Sequence, residues 1–271
     1  MTMTQALEKA THLLAEAQHL VVFTGAGISK ASGIPTFREA QTGLWAQFNP
    51  EDLATEEGFL KNPKMVWEWY DFRRNKIWGG TDNSGIKPNA GHFAIATLQQ
   101  RCLAVASKFT LITQNIDNLH TSAGSQNVLE LHGNIFRYKC LKQNHPLPLE
   151  SFARQSESPP LCPQCKTQRM ADSYVRPDVV WFGEMLPPNV LTAAFEAAEQ
   201  CDVMLVVGTS GLVQPAASLP LIAKQQGAHV IEINPEPSML TPEMDIFLQG
   251  PAGVLLPQLL AAMPNSKEAL T

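Results

Sequence analysis

An α/β fold built on a doubly wound parallel sheet, with a smaller module inserted into it, is predicted by three features of the sequence. Short apolar, β-branched runs alternate with helix-length segments of mixed apolar and polar character. Polar residues gather directly behind those runs, at Gly25-Ala26-Gly27, Gln114-Asn115-Ile116-Asp117, His132-Gly133-Asn134 and Gly208-Thr209-Ser210. One stretch, 140–172, breaks the pattern with prolines at 146, 148, 159, 160 and 163, few aliphatics and a Cys-x-x-Cys.

The spacing predicts a helix over Thr4–Ala17 that runs into a buried strand at Val21-Val22-Phe23. The segment VVFTGAGISKASGIPTFR, residues 21–38, then reads as strand, tight turn and helix start. Glycines at 25 and 27 suit a loop on which a pyrophosphate lies against bare backbone N–H groups. Their spacing, G-x-G-x-x-x-x-x-G, departs from the dinucleotide fingerprint, and the acidic pair about twenty residues on, Glu51-Asp52, sits in a loop-like stretch. An ordinary dehydrogenase is therefore disfavoured. Helices are expected over Pro63–Ile77 and from Pro88-Asn89 onward, and strands at Phe109–Thr113 and Val128–Leu131. Beyond the proline-rich stretch the α/β pattern is expected to resume with Val175–Phe182, helix Asn189–Gln200, strand Val203–Val207, helix Ala216–Gln226 and strand Val230–Ile233. A strand at Ile246–Leu248 and a helix over Val254–Met263 complete the prediction. In such sheets ligands sit at the carboxyl edge of the strands, so the polar clusters above, with Asn234, are expected to share one crevice.

With 271 residues, of which 44% are hydrophobic, the chain is long enough for a large domain with a small appendage. A net charge of −5 offers no electrostatic footprint for nucleic acid or an anionic membrane. No run of eighteen apolar residues occurs, and the first helix leads so directly into the first strand that no removable targeting segment is expected. The expectation is a cytoplasmic monomer with neither nucleic-acid nor membrane partners. Of the five cysteines, Cys102 and Cys201 lie beside apolar runs and read as small buried hydrophobes, whereas Cys140, Cys162 and Cys165 share the proline-rich stretch.

Taken in order, GAGISKASGIPTFR, PNAGH, TQNIDNLH, LHGN, VRPDVVWFGE, GTS and VQPAA resemble the motifs of the sirtuin family, the NAD-dependent protein lysine deacylases, over most of the chain. The resemblance implies a Rossmann-like NAD-binding domain from residues 1–38, 88–135 and 173–271, a helical insertion at 39–87 carrying a cofactor loop and an acyl pocket, and a zinc-ribbon-like module at 136–172. It also implies the reaction. Nicotinamide leaves NAD, the acyl oxygen of a modified lysine takes its place, a base frees a ribose hydroxyl to attack, and water completes the route to lysine and O-acyl-ADP-ribose.

The base must titrate near neutrality, and His132 matches the family position. Asn115 and Asp117, two apart, are expected to point to the same side and to hold the nicotinamide carboxamide and a water. The resemblance assigns NAD contacts to Gly25, Ala26, Gly27, Ser29, Thr36, Phe37, Arg38, Trp45, Gln114, Ile116, Gly208, Thr209, Ser210, Asn234, Glu236 and Ala252. Val180, Phe182, Gly183, Glu184 and Val213 match the edges between which the family clamps an acyl-lysine peptide as an added strand.

Within VWEWYDFRR, Tyr70 and Arg73 are three apart and share a helical face. A planar guanidinium beside a phenol suits a terminal carboxylate in a dry channel, and the pair matches the subgroup that removes succinyl and malonyl groups. Ala54 leaves room for such a group, and Thr36, where many relatives carry Asp, agrees with it. The plainer alternative packs Tyr70 on Trp67 and leaves Arg73 in solvent.

The family also carries structural zinc on two cysteine pairs. Here Cys162 and Cys165 keep their spacing, but the first pair offers only Cys140, with His145 as the next donor. A Cys₃His site is chemically acceptable, and a module that has lost its metal is the alternative. Competing functions are a plain deacetylase, an ADP-ribosyltransferase and a non-catalytic NAD-sensing module.

Overall fold

The computed structural model describes residues 1–35, 49–79, 84–167 and 173–264. Its strands are β1 (His19–Thr24), β2 (Lys108–Thr113), β3 (Leu129–Glu130), β4 (Gly133–Cys140), β5 (Pro146–Leu147), β6 (Val175–Val179), β7 (Val203–Val207), β8 (His229–Asn234) and β9 (Ile246–Gln249). The helices are α1 (Met3–Glu16), α2 (Pro50–Leu53), α3 (Glu56–Lys61), α4 (Pro63–Trp78), α5 (Ala90–Ala104), α6 (Leu119–Ser122), α7 (Pro163–Thr167), α8 (Pro188–Gln200), α9 (Leu219–Gln225) and α10 (Ala252–Ala262).

Six strands form one parallel sheet in the order β3-β2-β1-β7-β8-β9. This is the doubly wound order that reverses between its two central strands, here β1 and β7, and such a reversal opens a crevice at their carboxyl ends. Alternation along β1 explains the two layers. Leu20 and Val22 enter the apolar cluster under α1, α5 and α10, while Val21 and Phe23 enter the one under α8 and α9.

Local chemistry sets the helix starts. Thr2 and Gln5 form a capping box on α1, and Asn62 caps α4 ahead of Pro63. Asn89 caps α5, with His92 closing the box, and its side-chain amide also donates to the Ile28 carbonyl at 2.7 Å, tying α5 to the segment behind β1. That segment is a 3₁₀ helix, Ala26–Ser32, rather than the start of an α-helix.

The expected resumption of the main pattern at Val175–Phe182 is corrected. β6 pairs antiparallel with β4 in a second sheet, β5-β4-β6, so the small unit reaches beyond 136–172 to take in β4 and β6. Helices α2–α4 pack over this sheet through Phe59, Trp69 and Tyr70 against Ile135, Val179 and Trp181. No helix among the described residues is long and apolar enough to cross a membrane.

Candidate active site

The turn behind β1 lies against the turn behind β7. Gly25 N–H donates to the Val207 carbonyl at 2.9 Å and Gly27 N–H to the Gly208 carbonyl at 2.8 Å. A Cβ on Gly27 would stand 2.7 Å from the Gly208 Cα, and one on Gly25 would stand 2.8 Å from the Gly208 oxygen. Gly25 itself is extended, with φ −124° and ψ −172°, so close approach of two backbones, not a left-handed conformation, selects glycine there. The expectation of bare amides at 25 and 27 is thereby corrected: both are spent on the neighbouring turn.

Ser29 is the hub of the next layer. Its hydroxyl donates to Asp117 Oδ2 at 2.7 Å and accepts from Asn115 Nδ2 at 3.1 Å, which also donates to the Gly25 carbonyl at 3.1 Å. His92 Nδ1 faces the Asn89 N–H at 3.3 Å, which leaves the ring proton on Nε2 to donate to Ser29 Oγ at 3.4 Å. Asn115 and Asp117 therefore converge from an irregular loop, with the Ser29 hydroxyl held between the Asn115 amide and the Asp117 carboxylate. Burial raises the Asp117 pKa, against the Leu119 N–H, Ser29 and the charge of Arg73, which all favour the anion. Burial holds His92 down at about 4, so it stays a neutral donor.

A second buried chain steadies the same loop. Thr24 Oγ1 donates to Thr113 Oγ1 at 2.8 Å, and Thr113 Oγ1 accepts the Asn115 N–H at 3.0 Å. With its own proton spent, Thr24 accepts from His120 Nε2 at 2.9 Å. The sequence reading assigned no role to His92, Thr24, Thr113 or His120. Only the capping position of His92 within PNAGH was a usable signal.

His132 sits in the turn between β3 and β4, half-buried. Its Nδ1 lies 3.0 Å from the Gln114 carbonyl, which only accepts, so Nδ1 carries the proton and Nε2 keeps its lone pair. The Val180 N–H holds the His132 carbonyl at 2.9 Å. Gly133 follows at φ +78°, where a Cβ would meet the Asp178 oxygen at 2.1 Å. The histidine is thus aimed by its backbone.

Burial lowers the His132 pKa below its ordinary 6.5, partly offset by the Gln114 carbonyl. A base acts in its neutral form, so with His132 in that role a lowered pKa would keep it competent as pH falls through 6.5. The expected acid limb of kcat/KM therefore lies below pH 6.5, and a limb at or above that value would exclude this environment.

Of the remaining expected NAD contacts, Thr209 accepts from Gln114 Nε2 at 2.9 Å, and Asn234 Nδ2 donates to the Thr209 carbonyl at 2.8 Å. Ser210 and Glu236 are exposed on the turns behind β7 and β8. Ala252 begins α10, which packs on the 3₁₀ helix, and Ile116 packs with the α2–α4 cluster. Thr36, Phe37, Arg38 and Trp45 lie outside the described residues.

On α4, Tyr70 is buried and packs edge-on against Trp69 at 4.6 Å, while Trp67 turns to Tyr138 and Phe152 of the small sheet. Arg73 is half-buried, its guanidinium 4.7 Å from the Trp69 ring centroid. The structure therefore shows neither half of the plainer packing. Burial pushes the Tyr70 phenol up to about 12, so it remains protonated at neutral pH. Among the described residues no carboxylate forms an ion pair with Arg73. Ala54 is buried in the same cluster, and its carbonyl accepts the Phe182 N–H at 2.8 Å. Phe182 and Val213 are exposed, Val180 is half-buried, and Gly183 turns at φ +83°. The Glu184 side chain turns inward, its carboxylate pairing with Arg176 and accepting the Trp181 N–H at 2.9 Å, which leaves the backbone of 182–184 as the edge.

The small sheet brings Cys140, His145, Cys162 and Cys165 together, with all four donor atoms within 4.8 Å of one another. Cys140 Sγ is 3.5 Å from Cys165 Sγ, and His145 Nε2 is 3.3 Å from Cys162 Sγ. Tetrahedral ligands at zinc bond lengths stand about 3.3–3.8 Å apart, so the set fits Zn²⁺ as a closed Cys₃His site. The long gap from Cys140 to His145 is closed by a hairpin. Asn144 adopts φ +54°, and the Cys140 N–H reaches the His145 carbonyl at 3.0 Å. None of the five cysteines forms a disulfide.

Comparison with known proteins places this geometry. The Sir2 family profile matches residues 25–215. An NAD-dependent protein deacylase 2 of Pyrobaculum aerophilum is 48% identical over 262 residues, 96% of this chain and 98% of that protein. A crystal structure of a Sir2 homologue–NAD complex superposes with TM-score 0.82 at 44% identity, covering 97% of this chain and 95% of the other. The structure of Sir2Af2 bound to a myristoylated histone peptide does so at 0.71 and 37% identity, over 95% and 96% of the two chains. With its reversing parallel sheet, its paired histidine and amide loops and its Cys₃His module, this chain belongs to the Sir2 family.

Proposed function

We propose that this NAD-dependent protein deacylase removes succinyl and malonyl groups from lysine, and acetyl more weakly, releasing nicotinamide and O-acyl-ADP-ribose. The observation that carries the reading is Arg73. It is a half-buried guanidinium that forms no ion pair among the described residues, feels the Asp117 carboxylate only at longer range, and stands one helical turn from a buried, protonated Tyr70. The Trp69 face answers part of that charge by cation–π attraction, and the carboxylate end of a dicarboxylic acyl chain would add the charge-assisted hydrogen bonds that a ring cannot supply.

In this reading the neutral Nε2 of His132 takes the ribose proton. Asn115 and Asp117, oriented through Ser29, supply the donor and acceptor that a nicotinamide carboxamide needs. The acyl-lysine peptide runs as an added strand past Val180, Phe182, Gly183 and Val213. Zinc, held by Cys140, His145, Cys162 and Cys165, is structural.

The test is a panel of acetyl-, malonyl- and succinyl-lysine peptides with NAD, products identified by mass. Arg73→Met is expected to lower desuccinylation by about 10²-fold or more, the scale of stranding a desolvated charge, while deacetylation changes little. A parallel fall in both activities would sink the acyl-pocket assignment and leave a plain deacetylase.

A further inference from the structure

The buried arginine of the small sheet is wired to the acyl pocket. Arg176, on β6, is 1% exposed, with its guanidinium 3.4 Å from the Trp181 ring centroid. Nη2 donates to Glu184 Oε2 at 2.9 Å and to the Val179 carbonyl at 2.6 Å, and Nη1 pairs with Glu184 Oε1. Glu184 in turn accepts the Trp181 backbone N–H at 2.9 Å. A two-pronged guanidinium–carboxylate pair fixes orientation as well as distance, so the 181–184 turn is clamped at both ends. Phe59 packs on the clamped indole at a centroid distance of 5.3 Å. From there the indole Nε1–H reaches the Tyr70 hydroxyl at 2.9 Å.

We infer that Trp181, held by the Arg176–Glu184 pair, is a positioning residue that sets acyl specificity by fixing the direction of the Tyr70 hydroxyl proton. An indole N–H only donates, so the Tyr70 oxygen is the acceptor in this bond and its own proton is left for another partner. A phenol that must donate attracts a carboxylate. Freed from Trp181, the same hydroxyl could rotate and present lone pairs, which repel one. The indole thus supports binding of an acidic acyl end without touching it. This inference rests on the assignment of Tyr70 and Arg73 as the acidic-acyl site.

The experiment measures kcat and KM on succinyl- and acetyl-lysine peptides for the wild type, Arg73→Met, Trp181→Phe, Tyr70→Phe and the Tyr70→Phe/Trp181→Phe double variant. Trp181→Phe is expected to lower the succinyl-to-acetyl ratio of kcat/KM by about tenfold, through KM for the succinyl peptide. In the Tyr70→Phe background it is expected to change that ratio no further. A purely structural role would instead lower both activities together, or act independently of Tyr70, and either result overturns the inference. If Arg73→Met abolishes a succinyl preference that Trp181→Phe leaves intact, the inference alone fails. If the wild type shows no such preference, or keeps it after Arg73→Met, the underlying assignment fails and takes the inference with it. Should Trp181→Phe melt early, Arg176→Lys, which keeps the charge but loses the two-pronged pairing, is expected to move the ratio in the same direction, and an unchanged ratio there overturns the inference.

Discussion

Replacing His132 by alanine is expected to lower deacylation by about 10²–10⁴-fold, the range for losing a positioned general base. The loss has a place in the reaction. In the proposed mechanism His132 enters as a neutral imidazole whose Nδ1–H is anchored on the Gln114 carbonyl, and its free Nε2 would serve the step in which a ribose proton is taken. In the same proposal that step follows departure of nicotinamide, which is assigned to the pocket of Asn115, Asp117 and Ser29 instead. Exchange of labelled nicotinamide into NAD in the presence of acyl peptide is therefore expected to persist in His132→Ala while O-acyl-ADP-ribose falls. If exchange and product formation are lost in equal measure in a variant that still melts like the wild type, His132 is not the base. Gly133 makes the alanine variant a clean probe, because the turn that aims the ring is set by backbone geometry and not by the imidazole.

Removal of the metal is the other change of large effect. Purified protein is expected to carry near one zinc per chain. Stripping it with a chelator, or substituting Cys162→Ser, is expected to unfold the small sheet and abolish activity. Binding at structural zinc sites contributes on the order of 10 kcal/mol to the folding of small modules, comparable with the whole stability of a domain. On the metal side the module's apolar cluster is small, Tyr138, Leu147, Phe152 and Val175 around the three cysteines with Trp67 packed on from α4, while its other face rests on α2–α4. The damage is expected to spread along that contact. Trp67 packs on Tyr138 and Phe152, Arg74 stacks on Tyr138 at 4.7 Å, and the helix that bears both also carries Tyr70 and Arg73. Metal analysis beside a thermal melt checks both parts. A chain that holds no zinc and melts as before would show a module stabilised by its aromatic core alone.

Much of this is legible in the sequence, and the reason is local. Strand-length apolar runs followed by Gly25-Ala26-Gly27, Gln114–Asp117, His132–Asn134 and Gly208–Ser210 announce a parallel sheet with its chemistry at the carboxyl edge. The Pro88-Asn89 start of α5 and the Pro63 start of α4 are read directly from adjacent residues. Tyr70 and Arg73 share a face because helical geometry alone places residues three apart together.

The tertiary structure decided what depends on residues far apart in the chain. The motif VRPDVVWFGE resembles a strand of the main sheet until β6 is seen paired antiparallel with β4, because an apolar run does not name its neighbour. Likewise the glycines at 25 and 27 answer to Gly208, across a separation that no local pattern reports. The wide spacing from Cys140 to His145 counts against a metal site in the sequence and stops doing so once a left-handed Asn144 folds the two donors onto one hairpin. Ser29 and Trp181 gain their roles only from partners that the fold delivers, Asp117 for one and Tyr70 for the other. Hydrophobic periodicity and turn chemistry are short-ranged and survive in the sequence, whereas a hydrogen bond between two side chains about 100 residues apart exists only after the chain has packed.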